Sequence, residues 1–303
     1  HNILWRPRRG DLLRPPDVEA ARAALWARRE QRARPGLDDK VLTEWNAMAV
    51  AALAEAGGLL SRADWIAEAE HLAAFLLDRL RVDGRWRRSW QGGTARHLAY
   101  ASDHAWLVEA YTRLSEATGR ARWVTEARAC ADALLGLFWD EAEGGLFTSG
   151  ADAEALIARS KDTYDGALPS ANSVAASALL RLGTLTGEER YTGAADALVD
   201  AMAPALARAP LAFSGLVAAA DLRRGGLVEV VVSGERLDLV ATVRARYRPD
   251  VVLAWGEPYP SPLWQGREGG VGAGYVCRDY ACRAPATSPG ELEAALAGAP
   301  SGA

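Results

Sequence analysis

The sequence has almost no lysine, little cysteine and no long apolar run, and each shortage narrows what the chain can be. Lys40 and Lys161 are the only lysines in 303 residues, so arginine carries nearly all the positive charge. In a chain rich in alanine, arginine and glycine this points to a GC-rich genome, and the arginines as a class carry no functional reading. The formal net charge is −4, which leaves no basic excess of the kind that marks a nucleic-acid-binding surface. Cys130, Cys277 and Cys282 are too few, and odd in number, for a disulfide framework, and a CxxxxC pair without nearby histidine is a poor metal site. They are expected to be reduced, structural thiols in a cytoplasmic protein, with neither metal nor cofactor. No stretch of about 20 apolar residues occurs, so no membrane span is expected. The first residues do not read as a signal peptide, and the opening His-Asn-Ile-Leu without an initiator methionine leads to the expectation of a fragment whose beginning lies upstream.

What is present is a repeat. Segments 61–69 (SRADWIAEA), 119–127 (GRARWVTEA) and 187–195 (GEERYTGAA) align Trp65, Trp123 and Tyr191. Ala69, Ala127 and Ala195 follow four residues later, and Leu72, Cys130 and Leu198 three beyond those. Steps of four and seven keep each set on one helical face, and recurrence along the chain is the mark of stacked supersecondary units. Each such helix is preceded by another with its own stripe: one from Trp45 through Met48, Ala49, Ala52 and Leu53 to Ala56, one from Asp103 through Trp106, Leu107 and Tyr111 to Leu114, and one from Asn172 through Ala176 to Gly183. Residues 211–222 suggest a fourth. Short turns at Gly57-Gly58, Thr118-Gly119 and Thr186-Gly187 close the hairpins. Long loops, Arg81–Ala99 and Trp139–Pro169, lead into the next inner helix and are expected at one end of the array, the mouth of the fold.

This predicts a mainly α protein, an α/α toroid of helical hairpins over 1–225. Counting Pro15–Ala33 as an outer helix gives about eight long helices where a closed six-hairpin ring has twelve, so the ring is expected to be incomplete, completed by a missing amino-terminal part or by self-association. After Gly225-Gly226 the pattern changes. An apolar β-run at 227–233, a helical stretch at 237–247 and a second β-run at 251–255 predict a small β-α-β appendage over 226–303.

Three polar clusters mark the expected mouth. In LDDKVLTEWN, Asp39 and Trp45 with Asn46 suit a sugar, the ring stacking and the carboxylate binding hydroxyls; equally, Asp39 or Thr43 serves as a helix cap. In HLAYASDHAW, Asp103 heads a core-facing stripe, where a carboxylate must be hydrogen-bonded, paired or poised as an acid or base; His97 lies in the loop, and His104 falls off the stripe. In RSKDTYDGALPSAN, Lys161, Asp162, Asp165 and Asn172 form the densest polar site, which a turn at Asp165-Gly166 and an N-cap explain only in part. Catalytic candidates are Asp39, Asp103, Asp162 and Asp165; substrate-binding candidates are Trp45, Asn46, His97, Lys161 and Asn172. If Asp103 and Asp165 face a ligand, replacing either by alanine costs less stability than Trp65→Ala.

The same segments carry a family resemblance. RPGLDDKVLTEWNAMAVAALA, FWDEAEGGLF, KDTYDGALPSANSVAASALLRL and YVCRDYACRAPATSPGELEAAL resemble successive signatures of the spermatogenesis-associated protein 20 family, from about Asn2 to Leu296. The resemblance implies that a thioredoxin-like domain precedes a toroid similar to N-acylglucosamine 2-epimerases and six-hairpin glycosidases, and that this chain is the carboxy-terminal part. Related epimerases use histidines at the mouth as an acid/base pair. Only His97 is so placed here, and the carboxylates fit a glycosidase-like pair better. Two functions follow as expectations: a carbohydrate-active or carbohydrate-binding toroid, or a non-catalytic interaction scaffold whose polar clusters fix loops.

Overall fold

The structure, a computed structural model, describes residues 15–154, 157–267 and 272–298, so residues 2–14 of the resembling region lie outside it. The chain divides into two compact units, His1–Asp39 and Lys40–Ala303. In the first, helix α1 (Pro16–Glu30) starts on a proline, carries Asp17 and Glu19 in its first turn and Arg28 and Arg29 in its last, and buries no residue.

The second unit is an arc of an α/α toroid. Inner helices α2 (Thr43–Leu59), α4 (Ala101–Thr118), α6 (Ala171–Thr186) and α8 (Ser214–Gly225) pack on one another in succession, and α3 (Ala63–Arg79), α5 (Ala121–Phe138) and α7 (Glu189–Arg208) form the outer row. The repeated residues explain the outer row. Trp123, Tyr191, Ala69, Ala127, Ala195, Cys130 and Leu198 are buried, and only Trp65 and Leu72 of the first repeat are partly exposed. Helices α4 and α6 bury residues all round, as the centre of a two-layer helical array requires.

Helix α2 departs from its expected register. Trp45 is 57% exposed, and the buried face is Glu44, Ala47, Val50, Ala51, Ala54 and Gly57. Alanine fills both faces of this helix, so the pattern is ambiguous, and contact with α3 and α4 selects the smaller side chains. Gly57-Gly58 is no turn but the last helical turn. A Cβ on Gly57 would lie 2.8 Å from Ile66 Cγ1, so the close approach of α3 requires glycine there.

The connection 81–99 is also more ordered than a loop. It forms an antiparallel meander of β2 (Arg81–Val82), β3 (Arg85–Gln91) and β4 (Thr94–Leu98), with β1 (Val41–Leu42) paired to β3. Its turns, Asp83-Gly84 and Gly92-Gly93, have positive φ at both residues, the backbone that suits tight hairpins. The two long connections do meet at one end: Arg85 pairs with Asp152 at 2.7 Å, and the Ala101 amide donates to Thr148 O at 3.0 Å.

The expected β-α-β succession is present as β5 (Val228–Val232), α9 (Leu237–Arg244) and β6 (Val251–Trp255), with β5 and β6 parallel. Strands β7 (Gly274–Arg278) and β8 (Ala281–Cys282) extend the sheet in the order β6-β5-β7-β8, and α10 (Pro289–Ala297) closes one face. This layer shares a unit with the hairpins. Arg181 of α6 is 2% exposed and donates to Pro249 O, Val251 O and Glu116, while Trp255 Nε1 donates to Glu116 O. Cys277 and Cys282, expected as reduced thiols, are disulfide-bonded, because the Asp279-Tyr280 turn sets them opposite each other across β7 and β8 with Cα atoms 3.9 Å apart. Cys130 is free and buried. No helix among the described residues is long and apolar enough to cross a membrane.

Candidate functional site

The amino-terminal ends of the four inner helices lie at the end where the long connections run, and two aspartates hold them in pairs. Asp103 is fully buried; its Oδ1 accepts from the Glu44 amide at 2.9 Å, in the first turn of α2, and its Oδ2 from the Tyr100 amide at 2.8 Å, at the start of α4. Asp165 repeats this one step along the arc: Oδ1 accepts from the Ser170 amide at 2.8 Å, at the start of α6, and Oδ2 from the Gly215 amide at 2.7 Å, in α8. Each carboxylate thus satisfies helix-end amides of two neighbouring helices and sits at their positive dipole ends. Thr43 does not cap α2: its Oγ1 donates to Arg87 O at 2.6 Å, and the acceptor at the start of the helix is Asp103, from 59 residues downstream.

Asp103 also accepts from Arg88 Nη1 at 2.8 Å, and the same nitrogen reaches Glu44 Oε2 at 2.5 Å. Burial pushes the Asp103 carboxyl up to about 6, against the pull of Arg88 and the Tyr100 amide. Burial works against the Arg88 charge too, but Asp103 and Glu44 hold its pKa above the usual arginine value.

His104 is buried against Phe138, its ring centroid 5.0 Å away, with Nδ1 3.0 Å from Tyr100 O and Nε2 without a partner. It is a packing residue, and burial lowers its pKa to about 4. Since the unfolded value is near 6.5, unfolding takes up a proton below that pH, so this contribution to stability is lost as pH falls from about 6.5 towards 4. Asp103 works in the opposite sense, taking up its proton in the fold from about 6 downward. Comparing wild type with His104→Leu isolates the histidine: the variant is expected to lose on the order of 3 kcal/mol less stability between pH 6.5 and 4, read by urea melts at each pH.

Lys161 turns away from Asp162 and Asp165. Its Nζ lies 2.6 Å from Asp140 and donates to Gly144 O at 2.7 Å, fastening the 139–146 turn. Asn172 is a second clamp: Oδ1 accepts from the Leu146 amide at 2.7 Å, and Nδ2 donates to Asp162 O at 2.8 Å. Of the substrate-binding candidates, Asn46 donates to Leu42 O in its own helix turn, and His97 is exposed in β4 with a positive φ of 56°. Asp39 is exposed and belongs to the 1–39 unit.

What opens to solvent beside these clamps is a cleft of about 270 Å³, lined by Glu44, Arg88, Tyr100, Ser102, Thr148 and Asp162 with Leu168 and Pro169. Among the nine sequence candidates only Asp162 lines it. Arg88 stands 5.4 Å from the Tyr100 ring, which is 42% exposed. No pattern singled out Arg88; the one available signal was an arginine at the centre of the arginine-rich run RWRRSWQ.

Human spermatogenesis-associated protein 20 is 33% identical over 312 residues, covering 92% of this chain and 40% of the human protein. The mouse protein is 30% identical over the same extent, and an uncharacterized protein of Caenorhabditis elegans is 27% identical over 298 residues. Over this region the chain belongs to the spermatogenesis-associated protein 20 family. It spans about 40% of the length of these relatives. No protein-family model matches. Solved structures with partial likeness include cellobiose 2-epimerase from Spirochaeta thermophila, at 18% identity and TM-score 0.45 over 54% of this chain and 43% of that one. Another is an unsaturated glucuronyl hydrolase specific for heparin, at 19% identity and TM-score 0.45 over 59% and 53%. In this member of the spermatogenesis-associated protein 20 family, the KD-x-x-DGA-x-PSAN stretch is the joint between the 139–169 connection and α6. Lys161 and Asn172 fix the connection, Asp165 ties α6 to α8, and the Ser170 side chain caps α6.

Proposed function

We propose that the mouth of this toroid binds a carbohydrate without cleaving it. The observation that carries this reading is the make-up of the open cleft: a half-exposed tyrosine ring beside an Arg88–Glu44 pair, with Asp162, Ser102 and Thr148 around it. A pyranose presents an apolar face to such a ring and hydroxyls to charged, planar hydrogen-bonding groups. Glycosidic cleavage needs one carboxyl free to donate a proton and a second carboxylate about 5–9.5 Å away. Asp103 and Asp165 have both oxygens engaged by backbone amides, which speaks against that role. The same engagement favours a second reading, a non-catalytic interaction scaffold.

Saturation-transfer NMR with a panel of mono- and disaccharides separates them. A bound sugar is expected to lose roughly three- to tenfold in affinity in Tyr100→Ala, the worth of one aromatic contact. No reducing sugar should be released from disaccharides over hours. Absence of any saturable sugar signal would leave the scaffold reading standing, and hydrolysis would overturn the non-cleaving reading and return Asp162, the catalytic candidate that lines the cleft.

A further inference from the structure

A second cleft, of about 460 Å³, opens at the other end of α6, about 24 Å of helix from the mouth. Helix α6 ends there, α7 and α8 form one wall, and the β7–β8 turn forms another. The strand β5 supplies its most unusual residue. Val228, Val230 and Val232 face α9 and α10, so strand alternation turns Glu229 to the other side, towards α6. A glutamate in an otherwise all-valine strand is thereby placed under the cleft at 3% exposure, and its Oε2 has no hydrogen-bond partner.

Apart from the backbone amides of Tyr280 and Asp279, which bond to the Glu229 carboxyl, the surroundings supply acceptors and negative charge, not a counter-ion. Arg223, the cation in the wall, is engaged by Asp196 at 2.8 Å and Asp200 at 2.5 Å. Asp279 stands exposed at the turn beside Glu229. The carbonyl end of α6 points here, with Gly183 O and Thr184 O accepting from Tyr280 Oη, and that end carries the negative pole of the helix. Burial pushes the Glu229 carboxyl up to about 7, against the pull of the Tyr280 amide. A buried carboxylate with an unserved oxygen is costly, and a charged donor entering the cleft removes that cost. No group of three or more metal-binding side chains occurs among the described residues, so the geometry offers no cage for a metal ion. Leu180 and Leu227 supply apolar wall for an aliphatic stem.

From these features we infer that the cleft binds an alkylammonium group, its N–H donors directed at Glu229 and its charge shared with Asp279. The inference is independent of the carbohydrate reading, since the two clefts lie at opposite ends of α6. A free polyamine and a lysine side chain present the same chemistry, so the test uses both. Calorimetric titrations of the whole chain with spermidine, with Nα-acetyl-lysine methyl ester and with tetramethylammonium chloride are compared. Saturable binding is expected for at least one of the first two, and whichever binds names the source. Tetramethylammonium, which has charge but no donor, is expected not to bind. Glu229→Gln and Asp279→Asn are each expected to weaken binding by about tenfold or more, the loss of one charge-assisted contact. Asparagine tolerates the positive φ of 48° at position 279, so Asp279→Asn keeps the turn even if Glu229→Gln disturbs the sheet. Equal binding of tetramethylammonium, unchanged affinity in Asp279→Asn, or no saturable binding of either amine would overturn the assignment.

Discussion

Asp103→Ala is expected to cost about 3–5 kcal/mol of unfolding free energy, more than Trp65→Ala. This reverses the order expected when Asp103 is read as a ligand-facing acid. The carboxylate serves three donors: the amides of Glu44 and Tyr100 and the guanidinium of Arg88. Truncation leaves two helix-end amides and a largely buried cation without their acceptor, each in a place where water cannot substitute fully. Trp65 is only partly buried and keeps a face under Arg62 at 4.5 Å, so its removal costs less than the about 3–5 kcal/mol of a fully buried tryptophan. Asp103→Asn separates charge from shape, since an amide oxygen retains one acceptor while the Arg88 pairing weakens. It should fall between wild type and alanine. Urea melts of the three variants decide the matter, and an Asp103→Ala chain within about 1 kcal/mol of wild type would remove Asp103 from its place as the clasp of α2 and α4.

The contrast between what the sequence reveals and what it hides follows from which atoms do the holding. The hairpins were legible because Trp65, Trp123 and Tyr191 recur with their alanines at fixed steps, and large rings among small residues leave a periodic trace. The register of α2 was not, because alanine occupies both of its faces. The meander at 81–99 was hidden by arginines: in RWRRSWQ, charged side chains occupy positions on both sides of the strand and mask the alternation. Asp103 and Asp165 were recognisable as out of place on an apolar stripe or beside a rare lysine. Their roles were not, because the partners are backbone amides 59 and 50 residues away, and an amide donor has no residue type to announce it. Lys161 misled for a related reason, since its partner Asp140 comes from across the loop and not from the adjacent aspartates. The open cleft was the least legible feature. It is built from Arg88 on a strand, Tyr100 before a helix and Thr148 in a connection, which only the meeting of the two long connections brings together.

Arg181→Ala is expected to loosen the C-terminal sheet from the hairpins at a cost of about 3–5 kcal/mol, the toll of removing one partner from a buried charged pair. The guanidinium sits between the two layers, donating to Pro249 O and Val251 O at 2.8 Å each and to Glu116 at 2.7 Å. Without it, both carbonyls lose a donor in a place shielded from solvent, and Glu116 keeps only the Leu253 amide at 3.1 Å and Arg113 at 3.7 Å. Arg181→Met fills most of the same volume, so the two variants separate cavity from lost hydrogen bonds; if the bonds dominate, methionine recovers only a minor part. Hydrogen exchange adds the location of the effect. Amides of β5 and β6 should lose protection before those of α4 and α5, because the polar ties left at this point run to one stretch of α4: the Leu253 amide to the Glu116 side chain, Trp255 and Arg244 to Glu116 O, and Arg244 to Ala117 O. Uniform loss of protection in both layers would instead mean that the sheet and the hairpins unfold together, with Arg181 one of many equal contributors.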